Sequence, residues 1–276
     1  MKYFDAHCHV QLDAYDADRA EVLERMSAAE VGGLIVGVDF ASSKAAVELV
    51  QSELDRVTKE KGSQKYWAAV GLHPNDTDEP FNAEGFDDLL KLSKNLIVAI
   101  GECGLDYYRP DEPESVQKIQ KEIFEQQIEL AVKYGKPLMI HSRPSKGTQD
   151  AYNDTISILV SKKREYGDRL RGNMHFFVGG IEEARQFVEL DFTMSYTAVL
   201  TFTHDYDEVV HYIPLTHLLS ETDSPYVAPA PNRGKRNEPT AVREVIKAIA
   251  RIRDEDEEVV RQAILANSER MFGISL

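Results

Sequence analysis

Cysteine is scarce: the 276 residues contain only two, Cys8 and Cys103. Two cysteines make no disulfide framework, which fits a reducing, cytoplasmic compartment. No apolar run approaches the roughly 20 residues that a membrane helix needs, so no membrane span is expected. The first residues, Met1-Lys2-Tyr3-Phe4-Asp5, meet charge at once without an apolar h-region, so no secretory leader is expected. Linkers rich in Gly, Pro or Ser are missing, and so is low complexity. Residues 1–276 therefore read as one domain, near the upper size of a single core. Positive charge is in short supply, with 32 Lys and Arg against 47 Asp and Glu and a net charge of -15. That weighs against broad nucleic-acid binding through a basic face. It leaves room for an enzyme that grips phosphates locally, because a bound metal adds positive charge that the residue count omits.

What is present is a rhythm. Short apolar runs alternate with longer amphipathic ones. Tyr3–Ala6, Gly33–Val36, Tyr66–Val70, Leu96–Ile100, Pro137–Ile140, Arg171–Met174, Phe192–Ser195 and His217–Ser220 read as strands. Several are apolar nearly throughout, as parallel strands buried on both faces are. Helical patterns fall at Asp16–Glu30, Ser42–Lys59, Phe86–Lys94, Glu114–Tyr134, Gln149–Tyr166, Ile181–Glu189, Thr240–Ile252 and Glu255–Phe272. In the fourth, Val116, Ile119, Ile123, Leu130 and Tyr134 form a stripe that Gly135-Lys136-Pro137 ends. A strand about every 30 residues, each followed by a helix or loop, predicts an α/β fold, a (β/α)8 TIM barrel with C-terminal helices. An open doubly wound sheet is the alternative. Tyr226–Glu238, rich in Pro and basic residues, is expected to be a long loop after the last strand.

Residues able to bind metals fall at the C-terminal ends of these strands. His7 and His9 close the first, Glu102 follows the fourth, His141 the fifth, His175 the sixth and Asp223 the eighth. In a barrel those ends converge on one face. At strand spacing, His7 and His9 share a side and Cys8 points away. Asp5 is placed to accept a ring N–H from a ligand histidine. Glu102, between Gly101 and Gly104, suits a carboxylate that gives one oxygen to each of two ions. His141 and His175 would complete the second ion, and Asp223 would bind the first and act as a general base. Asp106 either orients a ligand or water or is a solvated loop residue. The donor set suits Zn²⁺, Mn²⁺, Co²⁺ or Fe²⁺, with Mg²⁺ possible at a carboxylate-rich position. Two such ions can activate water and stabilise a leaving oxygen, the chemistry of ester, amide or phosphodiester hydrolysis. No base stands beside either cysteine, so a catalytic thiol is not expected. His204, His211 and His217 break the pattern and read as surface or core residues.

For substrate, Arg143 lies two residues after His141, and Arg233, Lys235 and Arg236 follow Asp223. Guanidinium forks match phosphate oxygens, so this basic cluster suggests an anionic substrate. His73 ends the third strand and is placed to contact it. Tyr107, Tyr108 and Tyr226 could stack on bases or pack the barrel rim.

The combined motifs resemble the TatD family of metal-dependent deoxyribonucleases. They are Asp5-x-His7-x-His9, Gly71-x-His73-Pro74, Gly101-Glu102-x-Gly104-Leu105-Asp106, Ile140-His141-x-Arg143, His175-Phe176-Phe177 and Glu221-Thr222-Asp223-x-Pro225-Tyr226, with Arg233-Gly234-Lys235 and Asn237-Glu238-Pro239. The resemblance spans residues 5 to 239. It implies the barrel of the amidohydrolase-like superfamily. It implies one ion at His7, His9, Glu102 and Asp223, and another at Glu102, His141 and His175. It also implies hydrolysis of DNA, commonly as a Mg²⁺-dependent 3′–5′ exonuclease, with single-stranded or frayed ends as substrate. Val178 and Ala198 depart from the family's usual small polar residue and glycine; neither is a ligand position. A hydrolase of small esters, lactones or amides on the same metal pair is the second enzyme reading. A non-catalytic binding module is the third, and it conflicts with a full set of ligands.

Overall fold

The computed structural model describes residues 1–60, 63–77, 80–108 and 114–276. Eight parallel strands form one sheet in sequence order: β1 Tyr3–Cys8, β2 Val31–Val36, β3 Tyr66–Val70, β4 Ile97–Asp106, β5 Leu138–Arg143, β6 Gly172–Met174, β7 Thr193–Tyr196 and β8 Leu218–Ser220. The segment after β8 brings the last strand round to the first. Asp223 N–H donates to the His7 carbonyl, and His9 N–H donates to the Ser224 carbonyl, each at 2.9 Å. The result is a nearly closed barrel. Its helices are α1 Arg19–Ala28, α2 Phe40–Lys59, α3 Ala83–Ser93, α4 Glu114–Tyr134, α5 Asp150–Tyr166, α6 Ile181–Glu189, α7 Asp207–Tyr212, α8 Val242–Arg253 and α9 Glu257–Phe272. The short α7 has no counterpart in the predicted helices, because six residues are too few to display a helical period.

Two apolar layers follow from strand alternation. Phe4, Ala6, Leu34, Val36, Trp67, Ala69, Met139 and Leu219 pack inside the barrel with Met271 and Phe272. The opposite faces pack against the helices. In β1, Phe4 and Ala6 face inward, so strict alternation would turn Cys8 inward too. A register shift between Asp5 and Cys8 inserts one extra residue. Cys8 therefore joins the outer layer, and His7 and His9 face the interior.

β4 repeats the device. The predicted strand ended at Ile100; the observed strand runs on to Asp106. Gly101 and Gly104 have φ of 145° and 133°, which side chains rarely adopt. A Cβ on them would lie 2.3 Å from the Met139 carbonyl oxygen and 2.0 Å from that of His141. The chain bulges there instead of ending, with a register shift between Ile100 and Cys103. Ile100, Cys103 and Leu105 face outward, and Glu102 turns inward. β5 likewise outruns its predicted end, placing His141 and Arg143 within the strand.

α4 departs from its predicted stripe in an informative way. Ile119 is exposed, whereas Gln120, Ile123, Phe124, Gln127, Ile128 and Ala131 are buried. Each glutamine clamps a loop. Gln127 accepts from Leu72 N–H and donates to the Leu72 carbonyl, both at 2.9 Å. Gln120 accepts from Asp106 N–H at 2.9 Å and donates to the Asp106 carbonyl at 3.0 Å. One helix face thus fixes both the segment carrying His73 and the end of β4.

Candidate metal centre

The six strand-end residues meet at the C-terminal mouth of the barrel. Glu102 is their centre, with its two oxygens facing different groups. Oε2 lies 3.3 Å from His7 Nε2 and 3.9 Å from His9 Nε2. Oε1 lies 2.9 Å from His141 Nδ1 and 3.4 Å from His175 Nε2. Asp223 Oδ1 approaches His9 Nε2 at 3.4 Å and His7 Nε2 at 3.9 Å. The rings of His7 and His175 stack with centroids 3.6 Å apart. Burial disfavours the Glu102 charge, but the surrounding His73, His175 and His7 outweigh it and hold the carboxyl well below its usual range.

Hydrogen bonds behind the rings decide which nitrogen each presents. His9 Nδ1 lies 2.7 Å from the Val36 carbonyl, so it carries the proton and Nε2 keeps its lone pair for the centre. His175 Nδ1 lies 2.8 Å from Glu221 Oε1, which leaves Nε2 facing Glu102. Glu221 is itself pinned by Phe176 N–H at 2.8 Å and Ser195 Oγ at 2.5 Å. Such carboxylate–histidine pairs orient metal ligands. Burial opposes charge on His175, yet Glu221 and Glu102 prevail and raise its pKa to about 10.

The expectation for Asp5 is corrected. It accepts from the backbone N–H of His7 and from the N–H and hydroxyl of Thr222, not from a histidine ring. It fastens β1 to the segment that carries Asp223. His7 Nδ1 is buried without a partner among the described residues.

These facts test whether the residues suit a metal. His7, His9 and Asp223 bring one ligand atom each within 4.8 Å of the others, and so do Glu102, His141 and His175. His7 Nε2 and His9 Nε2 stand 3.1 Å apart. Imidazole lone pairs aimed at each other and at carboxylates are the donor chemistry of a divalent cation, and the set fits one.

The backbone is strained around the centre. Phe176, Asp223 and Val227 have φ of 45°, 52° and 51°, left-handed values that each cost about 1–3 kcal/mol for a non-glycine residue. All three line a cavity of about 600 Å³ that opens over the centre. His73 and Arg143 form part of its polar wall, while Val178, Val199 and Tyr206 belong to its apolar side.

The predicted basic cluster separates. Arg143 lines the cavity, its guanidinium 3.8 Å from the ring centroid of the exposed Tyr108. Arg233, Lys235 and Arg236 do not line it. Arg233 lies over Phe202. Arg236 makes two 2.6 Å bonds to the Asp18 carboxylate, donates to the Ala14 carbonyl and approaches Glu238. It ties the loop to the segment preceding α1, outside the cavity wall. Tyr107 also departs from a stacking role: it is buried and donates to Asp154 at 3.0 Å. Cys8 and Cys103 are buried, their thiols directed to backbone carbonyls and pushed up in pKa by burial. His204 pairs with Asp207, and His217 approaches Asp191.

A barrel with imidazole and carboxylate donors at its C-terminal mouth defines a class, the metal-dependent hydrolases. The particular family follows from sequence. The model of the TatD-related DNases matches residues 4–273, and the chain belongs to that family. It is 36% identical to the uncharacterized metal-dependent hydrolase YabD of Bacillus subtilis, covering 99% of both chains. It is 31% identical to the uncharacterized metal-dependent hydrolase YcfH of Escherichia coli, covering 99% of this chain and 97% of that one. Among solved structures, the TatD homologue YjjV of Escherichia coli superposes with a TM-score of 0.84 at 24% identity over 99% of each chain. A TatD-family hydrolase of Entamoeba histolytica gives 0.80 at 21% identity, covering 99% of this chain and 98% of that one. These likenesses establish the same barrel. No helix among the described residues is long and apolar enough to cross a membrane.

Proposed function

We propose that this protein hydrolyses phosphodiester bonds of DNA as a 3′–5′ exodeoxyribonuclease, with His7, His9, Glu102, His141, His175 and Asp223 holding two divalent cations. The observation that carries the reading is the division of Glu102, one oxygen toward His7 and His9 and the other toward His141 and His175. Bound ions of this kind supply Lewis-acid polarisation and a water nucleophile at neutral pH. Mg²⁺, Mn²⁺ and Zn²⁺ are the candidates.

The chain's own residues do the rest. Asp223, whose carboxylate lines the cavity, takes the proton from the attacking water. Water adds to phosphorus, the bond from phosphorus to the 3′ oxygen breaks, and Asp223 passes on the proton it took, so that oxygen leaves as a hydroxyl. Arg143 offers N–H groups to the phosphate while its face rests on Tyr108. Tyr108 and Tyr226, 46% and 57% exposed, give flanking bases flat surfaces. The apolar side of the cavity, with Phe176, Val178 and Val227, receives the terminal sugar and base.

That apolar side also favours a second reading, a small neutral ester or lactone. End-labelled single-stranded DNA, the matching RNA and a neutral aryl ester, each assayed with Mg²⁺, Mn²⁺ and Zn²⁺, separate the two. The proposal expects stepwise shortening of DNA from its 3′ end. Turnover of the ester alone would replace it with the second reading.

A further inference from the structure

A third group of donors stands beside the centre: His73, Asp106 and His141 bring ligand atoms within 4.8 Å of one another. By composition it reads as another ion position. Its hydrogen bonds argue otherwise. Asn75 N–H donates to His73 Nδ1 at 3.1 Å. A neutral imidazole with an accepting Nδ1 carries its proton on Nε2 and has no lone pair left for a cation there. His73 Nε2 lies 3.4 Å from Glu102 Oε1 and so faces the centre as a donor.

Asn75 also acts through its side chain, donating from Nδ2 to Asp106 Oδ2 at 3.1 Å. The same oxygen lies 3.2 Å from His141 Nε2. The other Asp106 oxygen accepts from Tyr108 N–H at 3.0 Å, and Gln120 clamps the Asp106 backbone on both sides. An aspartate held at four points has little freedom to leave His141. Its hold keeps a proton on His141 Nε2 and turns Nδ1 toward Glu102. His141 thereby differs from His9 and His175, whose rings are bonded through Nδ1 and present Nε2.

We infer that Asn75 and Asp106 form a positioning pair that keeps the proton on Nε2 of both His73 and His141. His141 then binds a cation through Nδ1, and His73 is no ligand but an N–H donor facing the substrate's oxygens. The inference rests on the metal-centre reading above and goes beyond it in assigning which nitrogens ligate and which residue decides.

Two measurements test it, both with Zn²⁺ alone. Calorimetric titration of the wild type, checked by metal content, first establishes binding; a wild type that takes up no Zn²⁺ overturns the metal-centre reading and this inference with it. Given binding, His73→Ala keeps the full Zn²⁺ complement with affinity within about 2-fold. Asp106→Ala weakens one Zn²⁺ by about 10–100-fold, as loss of a ligand's outer partner does. Because Asp106 acts through His141, the double variant Asp106→Ala/His141→Ala binds no more weakly than His141→Ala. A lost Zn²⁺ equivalent in His73→Ala, or multiplying effects in the double variant, would overturn the pair. The second measurement needs no variant and so stands if Asp106→Ala does not fold. In long-range ¹H–¹⁵N spectra of the histidine-labelled, Zn²⁺-loaded wild type, His141 shows a metallated Nδ1 and a protonated Nε2, and His73 shows a protonated Nε2 with no metal. Metal on Nε2 of either ring contradicts the inference.

Discussion

The strand ends and the loop after β8 are both dense in charge at the same mouth of the barrel, yet they use it differently. At the strand ends, Glu102, His141, His175 and Arg143 project from an almost fully buried framework into the cavity. In the loop, Arg236 is spent on Asp18 and Glu238, and Arg233 on the face of Phe202. For Arg236 the difference lies in the nearest carboxylate; for Arg233, stacked on Phe202 much as Arg143 is on Tyr108, it lies in its place outside the cavity wall. Arg236, whose neighbour is Asp18, is a fastener, while Arg143, which rests on the exposed Tyr108 and has no carboxylate partner among the described residues, keeps its N–H groups for a ligand. Clustering of basic residues in sequence does not distinguish them.

The comparison is broken or sharpened by substitution. The largest effect is expected at Glu102. Replacing it with alanine removes the group facing both histidine sets, and kcat/KM on DNA should fall by at least about 10³-fold. Near-normal turnover would dissolve the shared centre. Next comes Arg143→Ala, which forfeits a charge-assisted bond to phosphate worth about 1.5–3 kcal/mol, or roughly 10–100-fold in kcat/KM on DNA. A neutral ester should be spared. The paired variant Arg233→Ala/Lys235→Ala should cost no more than about 3-fold; a loss matching that of Arg143→Ala would return the loop to the substrate.

A smaller effect concerns pH. In ion-free protein the pKa of His175 is raised to about 10, against 6.5 unfolded. Between those values the folded state binds more protons, so this contribution to stability is complete below about 6.5 and fades as pH rises toward 10. A cation must displace that proton, so binding tightens over the same range. The gain in Tm on adding Mn²⁺ should therefore be larger at pH 8.5 than at pH 6.5; a gain that shrinks with pH would contradict the assignment. The smallest effect belongs to Arg236→Ala, with activity within about 2-fold of wild type and Tm lower by no more than about 3 °C, since the Asp18 pair is partly exposed.

Much of this was legible in the sequence because the barrel turns periodicity into position. Once eight apolar runs are recognised, His7, Glu102, His141 and Asp223 must approach one another, however far apart they lie in the chain. The bulges were less visible. The apolar run that marks the fourth strand stops at Ile100, although Gly101 and Gly104 keep β4 going and flip Glu102 inward. The supports were hidden for another reason. Glu221 carries no strand-end signal of its own, and Gln120 and Gln127 lie off the apolar stripe by which α4 is recognised. Only the fold shows that Glu221 backs His175 and that both glutamines are buried clamps. The Arg236 pairing was hidden because its partner, Asp18, lies 218 residues away.

The central claim is that the strand-end cluster works as a metal-dependent hydrolytic centre. Its most direct test is to strip the protein with a chelator and restore Mn²⁺ in measured equivalents, following release of nucleotides from 3′-labelled single-stranded DNA. The account predicts no release from the stripped protein and activity that returns as the sites fill. Undiminished cleavage by protein verified to be free of metal would contradict it.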